Sequence, residues 1–140
     1  MSGRFFLDTN IFVYTFDLRA PAKAKRATQL IRRAVDTGEG IVSFQVVQEF
    51  FNVALRRFSL PMTVAEAEQY LVAVFYPLLA VHSSPAIYLD ALRIAGKYKF
   101  AWYDALVVAG ALAAGCDVLC SEDFQQGMEI DGLRVKNPFV

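Results

Sequence analysis

The sequence predicts an α/β protein of three layers, in which a mostly parallel sheet is covered by helices on both faces. Two observations predict it. Short apolar runs of three or four residues alternate with longer amphipathic segments along the whole chain, with no repeat or low-complexity tract between them. The longer segments, at ~10 residues or more, have the length of the right-handed crossovers that join parallel strands. A length of 140 residues, 56% of them hydrophobic, is enough to bury one core and too short for two, so residues 1–140 are read as a single domain.

Taken in order, "RFFL" (4–7) reads as a strand and "NIFVYTF" opens a short helix. Residues 21–36 read as a helix with Pro21 at its first turn, where a missing N–H costs nothing, and with Ala27, Leu30, Ile31, Ala34 and Val35 at core-facing spacing. After the turn "TGEG", "IVS" (41–43) is a strand, and 44–58 a helix whose apolar face holds Val47, Phe50, Phe51, Ala54, Leu55 and Phe58. Pro61 and Thr63 punctuate before a helix over 64–76. "LLAV" (78–81) is a strand, 85–98 a helix, and 103–115 a helix apolar on most sides and ended by Gly115. "VLC" (118–120) and "LRV" (133–135) complete the strands.

Composition narrows the function classes. Fourteen Lys and Arg balance fourteen Asp and Glu, so net charge points to no polyanionic partner, although Arg19, Lys23, Lys25, Arg26, Arg32 and Arg33 follow one another without an acid between them. That stretch reads as a solvated helix face first and as an RNA-backbone contact, with Arg56 and Arg57, second. The longest apolar run, "ALVVAGALAA" (105–114), falls far short of the ~20 residues that span a bilayer, so no membrane association is expected. "MSGRFFLDTN" carries no leader pattern, which makes a cytoplasmic location the expectation. Cys116 and Cys120 are too few for a disulfide framework or a zinc site and read as reduced, buried thiols. His82, the sole histidine, lies outside every motif. Phe5, Phe6, Phe12, Tyr14, Phe50 and Phe51 fall in apolar patterns and read as core.

Four acids stand where apolar sequence would be expected. Asp8 follows the first strand and Asp123 follows "VLC" by two residues, which puts both at the carboxyl edge of the sheet, where α/β proteins bind ligands. Each also reads as a helix cap or turn residue. Glu49 lies about two turns into an apolar helix, on a polar stripe with Gln45, Asn52 and Arg56, and an ion pair with Arg56 is its alternative use. Asp104 opens the most apolar helix, where the helix dipole alone favours a carboxylate by only ~0.3–1 kcal/mol. Four like charges at one edge repel unless compensated, and a divalent cation compensates them. Oxygen-only ligands suit Mg²⁺ or Mn²⁺, ions that activate water and stabilise the oxygens of a phosphodiester displacement.

"LDTN", "QEF", "YDALVVAGAL" and "LCSEDFQQG", in this order, resemble the PIN domain, and most closely the VapC-type toxins of bacterial toxin–antitoxin pairs. Text from Val42 to Val53 and "NPF" (137–139) extends the resemblance over nearly the whole chain; "FAWYD" departs from it, which places a difference at the cleft rim around Ala101 and Trp102. The resemblance implies a parallel sheet of four to five strands flanked by helices, and a Mg²⁺- or Mn²⁺-dependent endoribonuclease that leaves 5′-phosphate and 3′-hydroxyl ends. It implies Asp8, Glu49, Asp104 and Asp123 as the catalytic acids, with Asp8, Asp104 and Asp123 as metal ligands and Asn10 and Ser121 in support. Glu122 competes with Asp123 for the last place, and the family pattern favours Asp123. The resemblance further implies an RNA substrate, a cognate antitoxin protein and a homodimer. Two rivals stand beside this reading: a haloacid-dehalogenase-like phosphatase, whose second Asp would fall where Asn10 stands, and a catalytically inactive PIN-like module that binds RNA or protein.

Overall fold

The computed structural model describes residues 3–140; Met1 and Ser2, part of the stretch in which no leader is expected, lie outside the described residues. The strands are β1 (Phe5–Leu7), β2 (Gly40–Ser43), β3 (Leu79–Val81), β4 (Val118–Cys120), β5 (Glu129–Ile130) and β6 (Leu133–Lys136). The helices are α1 (Thr9–Tyr14), α2 (Pro21–Thr37), α3 (Phe44–Ala54), α4 (Val64–Tyr70), α5 (Tyr76–Leu78), α6 (Pro85–Tyr98) and α7 (Trp102–Ala113). One sheet runs β3-β2-β1-β4-β6-β5, parallel throughout except for the β5–β6 pair. The α/β architecture with a mostly parallel, helix-flanked sheet is the one the sequence predicts.

Alternation of side chains along β1 separates the two faces. The Arg33 guanidinium of α2 lies 5.2 Å from the Phe5 ring centre, so α2 covers that face. Phe6 points the other way: a methyl group at Gly110 of α7 would stand 3.5 Å from Ser43 Cβ, 3.8 Å from Val81 Cγ1 and 3.9 Å from Phe6 Cε2. These are ordinary contact distances, and they place α7 on the face that Phe6 presents. A group of rings, Phe12, Phe50, Phe75 and Tyr70, packs beside α1 and α3, with Phe50 and Tyr70 stacked at 5.0 Å.

Three differences from the sequence reading have physical reasons. The sheet has six strands rather than four to five, because a hairpin adds β5. Its turn is Asp131–Gly132, both at positive φ (50° and 91°), the conformation that an Asp-Gly hairpin favours. A strand of two residues is too short to show alternation, so only the turn betrays it. The third helix stops at Ala54 rather than 58; Phe58 folds back against Phe16 at 5.2 Å, and the Met62 N–H reaches the Ala54 carbonyl at 2.9 Å. Pro61 holds the returning segment out of a helix. The helix expected over 64–76 starts as an α-helix, widens into a π-helical turn at Leu71–Phe75 and closes with α5.

Gly40 sits where α2 presses hardest on the sheet. A Cβ there would overlap the Ala34 Cβ and come within 2.8 Å of its Cα, and backbone on a packed helix has little room to yield. Gly40→Ala is expected to lower stability by about 1–3 kcal/mol, read as a lower urea midpoint at unchanged m-value. Gly96, inside α6 with nothing within 4 Å of an added methyl, is the control: Gly96→Ala is expected to gain up to ~1 kcal/mol.

Candidate functional site

Register builds the site. Leu7 of β1 lies opposite Cys120 of β4, and the Asp8 N–H donates to the Cys120 carbonyl at 3.0 Å. The next residues on the two strands, Asp8 and Ser121, therefore leave the sheet side by side. Ser121 is fully buried and Asp8 is 4% exposed. Ser121 Oγ donates to Asp8 Oδ2 at 2.7 Å and accepts from the Asp123 N–H at 3.0 Å. Asp8 Oδ1 accepts from the Thr9 N–H at 2.7 Å, so the cap reading of Asp8 holds for one of its oxygens.

The other acids arrive from three further segments. Asn10 Nδ2 donates to Asp123 Oδ2 at 3.1 Å and lies 3.4 Å from Ser121 Oγ. Thr9 Oγ1 donates to Glu49 Oε1 at 2.9 Å, which ties α3 to the start of α1. This is where Glu49 goes; the Arg56 pairing does not form, since α3 ends before that residue. Asp104 sits in the first turn of α7. Asp8, Glu49, Asp104 and Asp123 all line one cleft of about 490 Å³, together with Asn10, Gln45, Tyr103 and Glu122. They surround the cleft without being gathered to one point: among the described residues no three Asp, Glu, His or Cys side chains already form a group able to hold an ion. Glu49 and Asp123 accept from donors on α1.

Electrostatics set Asp8 apart. Burial, opposed only in part by the bonds from Ser121 and Thr9 and reinforced by the charges of Asp123 and Glu49, pushes its carboxyl up to about 7 from an ordinary 3.8. Partial burial, with Asp123 nearby, raises Asp104 as well. Glu122 behaves oppositely. Burial pushes it up, but Lys23 Nζ at 2.8 Å and the Tyr14 hydroxyl at 2.6 Å outweigh that and hold it below the ordinary range. Its two oxygens are thus occupied by α1 and α2, whereas Asp123 is held by Asn10 and Ser121 beside Asp8.

The donor set fits a hard divalent cation. Every cleft acid offers oxygen, and on two lining residues the amide oxygens, Asn10 Oδ1 and Gln45 Oε1, are buried without a hydrogen-bond partner among the described residues. Buried acceptors left without donors are costly unless a cation or its waters satisfies them. Gln45 was read from sequence only as part of a polar stripe; it is buried, and its Nε2 donates to the Tyr103 carbonyl at 3.2 Å. The stripe itself is broken, for Asn52 and Arg56 are exposed. Lys23 and Tyr14 were likewise not foreseen as partners of Glu122, because contacts from α1 and α2 to the chain after β4 have no local sequence signal. Three members of the basic stretch bond within the chain: Arg19 pairs with Asp17, Lys23 with Glu122, and Arg26 donates to the Pro138 carbonyl at 3.3 Å. His82 is exposed, and Cys116 and Cys120 are buried free thiols whose burial raises them to about 12 and about 11.

The sequence matches the PIN domain family over residues 5–127. No curated protein matches it. A toxin–antitoxin complex from Klebsiella pneumoniae is similar in structure, with a TM-score of 0.68 at 19% identity over 95% of this chain and 96% of that one. FitAcB from Neisseria gonorrhoeae gives 0.62 at 18% identity, covering 96% and 98%. VapC20 of Mycobacterium tuberculosis, a sarcin-ricin-loop-cleaving toxin, gives 0.62 at 15% identity, covering 85% and 91%. At these identities the likeness is one of fold.

The raised Asp8 pKa fixes a pH dependence. An unfolded chain releases this proton near 3.8 and the folded, chelator-treated protein near 7. The group's contribution to stability is therefore full below about 3.8 and is lost as pH rises through about 7. Asp8→Asn is expected to raise the chelated protein's melting temperature at pH 8, by the equivalent of a few kcal/mol at most. The gain should shrink towards pH 4; a gain independent of pH would mean that the charge on Asp8 is not its source.

Proposed function

The chain belongs to the PIN domain family, and from that premise we propose that it is a Mg²⁺- or Mn²⁺-dependent endoribonuclease, the toxin of a toxin–antitoxin pair. The observation that carries this reading is the cleft itself: four carboxylates from four separate segments line it at the carboxyl edge of the sheet. Asp8, Asp104 and Asp123 would hold the cation, with Glu49 completing the acidic set and Asn10 and Ser121 in support. When bound, the cation supplies Lewis acidity, which activates water at neutral pH and offsets the charge of the phosphodiester.

The chain's own residues do the rest. Ser121 fixes the direction of Asp8 Oδ2, and Asn10 that of Asp123; such outer contacts orient ligands and keep their affinity. Asp8, raised to about 7, gives up its proton when opposite charge arrives, so ligand binding at this cleft releases a proton near neutrality. Thr9 occupies Glu49 Oε1, leaving Oε2 as the atom to take a proton from the attacking water. Glu122, engaged by Lys23 and Tyr14, is assigned to shaping the rim rather than to the acidic set. The phosphatase reading is disfavoured by Asn10, whose amide donates a hydrogen bond to Asp123 and, not being ionisable, cannot serve as an acid or base.

An RNA substrate, a cognate antitoxin, a homodimer, a single PIN domain over the whole chain and a cytoplasmic location belong to the same proposal. Support for the antitoxin partner lies in the fold shared with a chain solved in a toxin–antitoxin complex, and for RNA cleavage in the fold shared with a sarcin-ricin-loop-cleaving toxin. No helix among the described residues is long and apolar enough to cross a membrane.

The test is cleavage of RNA by the purified chain, freed of any partner, with Mg²⁺, with Mn²⁺ or with chelator. Activity is expected to vanish in chelator and to fall about 10²-fold or more in Asp8→Asn and Asp104→Asn. Ser121→Ala should cost ~10–100-fold, and Glu122→Gln less than about tenfold, with circular dichroism confirming that each variant folds. Cleavage indifferent to chelator and to both Asp substitutions overturns the proposal; turnover of a phosphomonoester with RNA left intact favours the phosphatase.

A further inference from the structure

Two aromatic residues line the cleft, Tyr14 and Tyr103, and they stand in different circumstances. Tyr14 is committed. Its hydroxyl donates to Glu122 at 2.6 Å, its ring meets Phe139 at 4.9 Å, and Lys23 Nζ lies 4.7 Å from its centre. Tyr103 is 64% exposed, and among the described residues its ring has no aromatic partner and its hydroxyl no hydrogen bond. Its neighbour Trp102 leans on Tyr88 at 6.2 Å, off the cleft. A lone exposed aromatic is ordinary on a protein surface; one on the wall of a carboxylate cleft, next in sequence to Asp104, is placed for use.

From these observations we propose that Tyr103 is a stacking platform for an unpaired RNA base beside the phosphate that is cut. Tyr103 and Asp104 follow one another in the first turn of α7, where successive residues do not face each other. The backbone of Tyr103 is anchored: Gln45, 4% exposed, donates to its carbonyl at 3.2 Å. Aromatic rings accept every base by its π-face, and such stacks select unpaired strands over duplex, in which bases are already stacked. The inference rests on the nuclease reading for the identity of the strand, and it adds a recognition contact that the four acids do not supply.

The experiment is binding of a fluorescent single-stranded RNA of mixed sequence in Mg²⁺, measured by anisotropy in an Asp8→Asn background so that the strand stays intact. Tyr103→Ala is expected to weaken binding about tenfold, while Tyr103→Phe and Tyr103→Trp stay within about twofold. An abasic site walked along a defined cleavable strand should find one position that weakens the Tyr103 protein equally and leaves Tyr103→Ala unaffected, a coupling that loss of structure would not produce. Equal RNA affinity in Tyr103→Ala, or no such position, overturns the inference while wild-type cleavage leaves the nuclease standing. Base-dependent binding without cleavage by the wild type overturns the nuclease reading and, with it, the placement of the base beside a cut phosphate. A dimer that Tyr103→Ala splits with RNA affinity unchanged assigns the ring to a second copy of the chain and also overturns it.

Discussion

One buried hydrogen bond, from Ser121 to Asp8, joins the two strand ends on which the cleft depends. It exists because β1 and β4 pair in parallel with Leu7 opposite Cys120, so that the next residue of each strand emerges at the same edge. A shift of register by one residue would turn Asp8 to the other face of the sheet. From this bond the rest follows outward. Ser121 collects the Asp123 N–H, Asn10 reaches Asp123, and Thr9 reaches Glu49. Three of the four acids are thereby referred to the first turn of α1, while α7, packed on the sheet at Gly110, brings Asp104.

This arrangement works against stability in the absence of opposite charge. Asp8 is buried with two hydrogen bonds, which do not offset its desolvation. An isolated structural role would be served as well by Asn or Ser, both good caps without a charge to bury. The opposite solution stands at the rim of the same cleft, where Glu122 has an ammonium and a phenol hydroxyl to itself. Two adjacent acids thus have different uses: one is neutralised within the chain, and the other remains available beside Asp8. A net charge of zero conceals this difference, since it sums over the chain and does not report which acids have a cation beside them.

The elements visible in the sequence were those in which a local rule and the tertiary environment agree. Buried strands such as "FFL" and "VLC" read as apolar runs, and α2 shows both its core-facing period and its Pro21 start. Local rules failed where packing overrode them. Phe58 belongs to the apolar pattern of α3 yet folds back onto Phe16 and Phe50, because burying the ring among other rings outweighs another turn of helix. The π-helical turn at Leu71–Phe75 keeps Phe75 against Phe12 and Phe50, and no sequence period announces such an insertion. β5 was hidden by its length, although its Asp-Gly turn was in plain view.

By itself the sequence determined the alternation that makes an α/β sheet and the four acids placed after strands or inside apolar helices. An acid in an apolar context is conspicuous because burying it is costly, whatever the partner. Tertiary structure alone decided which polar groups those acids meet. It separated Asp123 from Glu122, sent Glu49 to Thr9 instead of Arg56, and tied Gln45 to the Tyr103 carbonyl. The physical reason is that propensity and periodicity act over a few residues. Hydrogen bonds such as Ser121 to Asp8 join groups 113 residues apart, and only the pairing of strands brings them within reach.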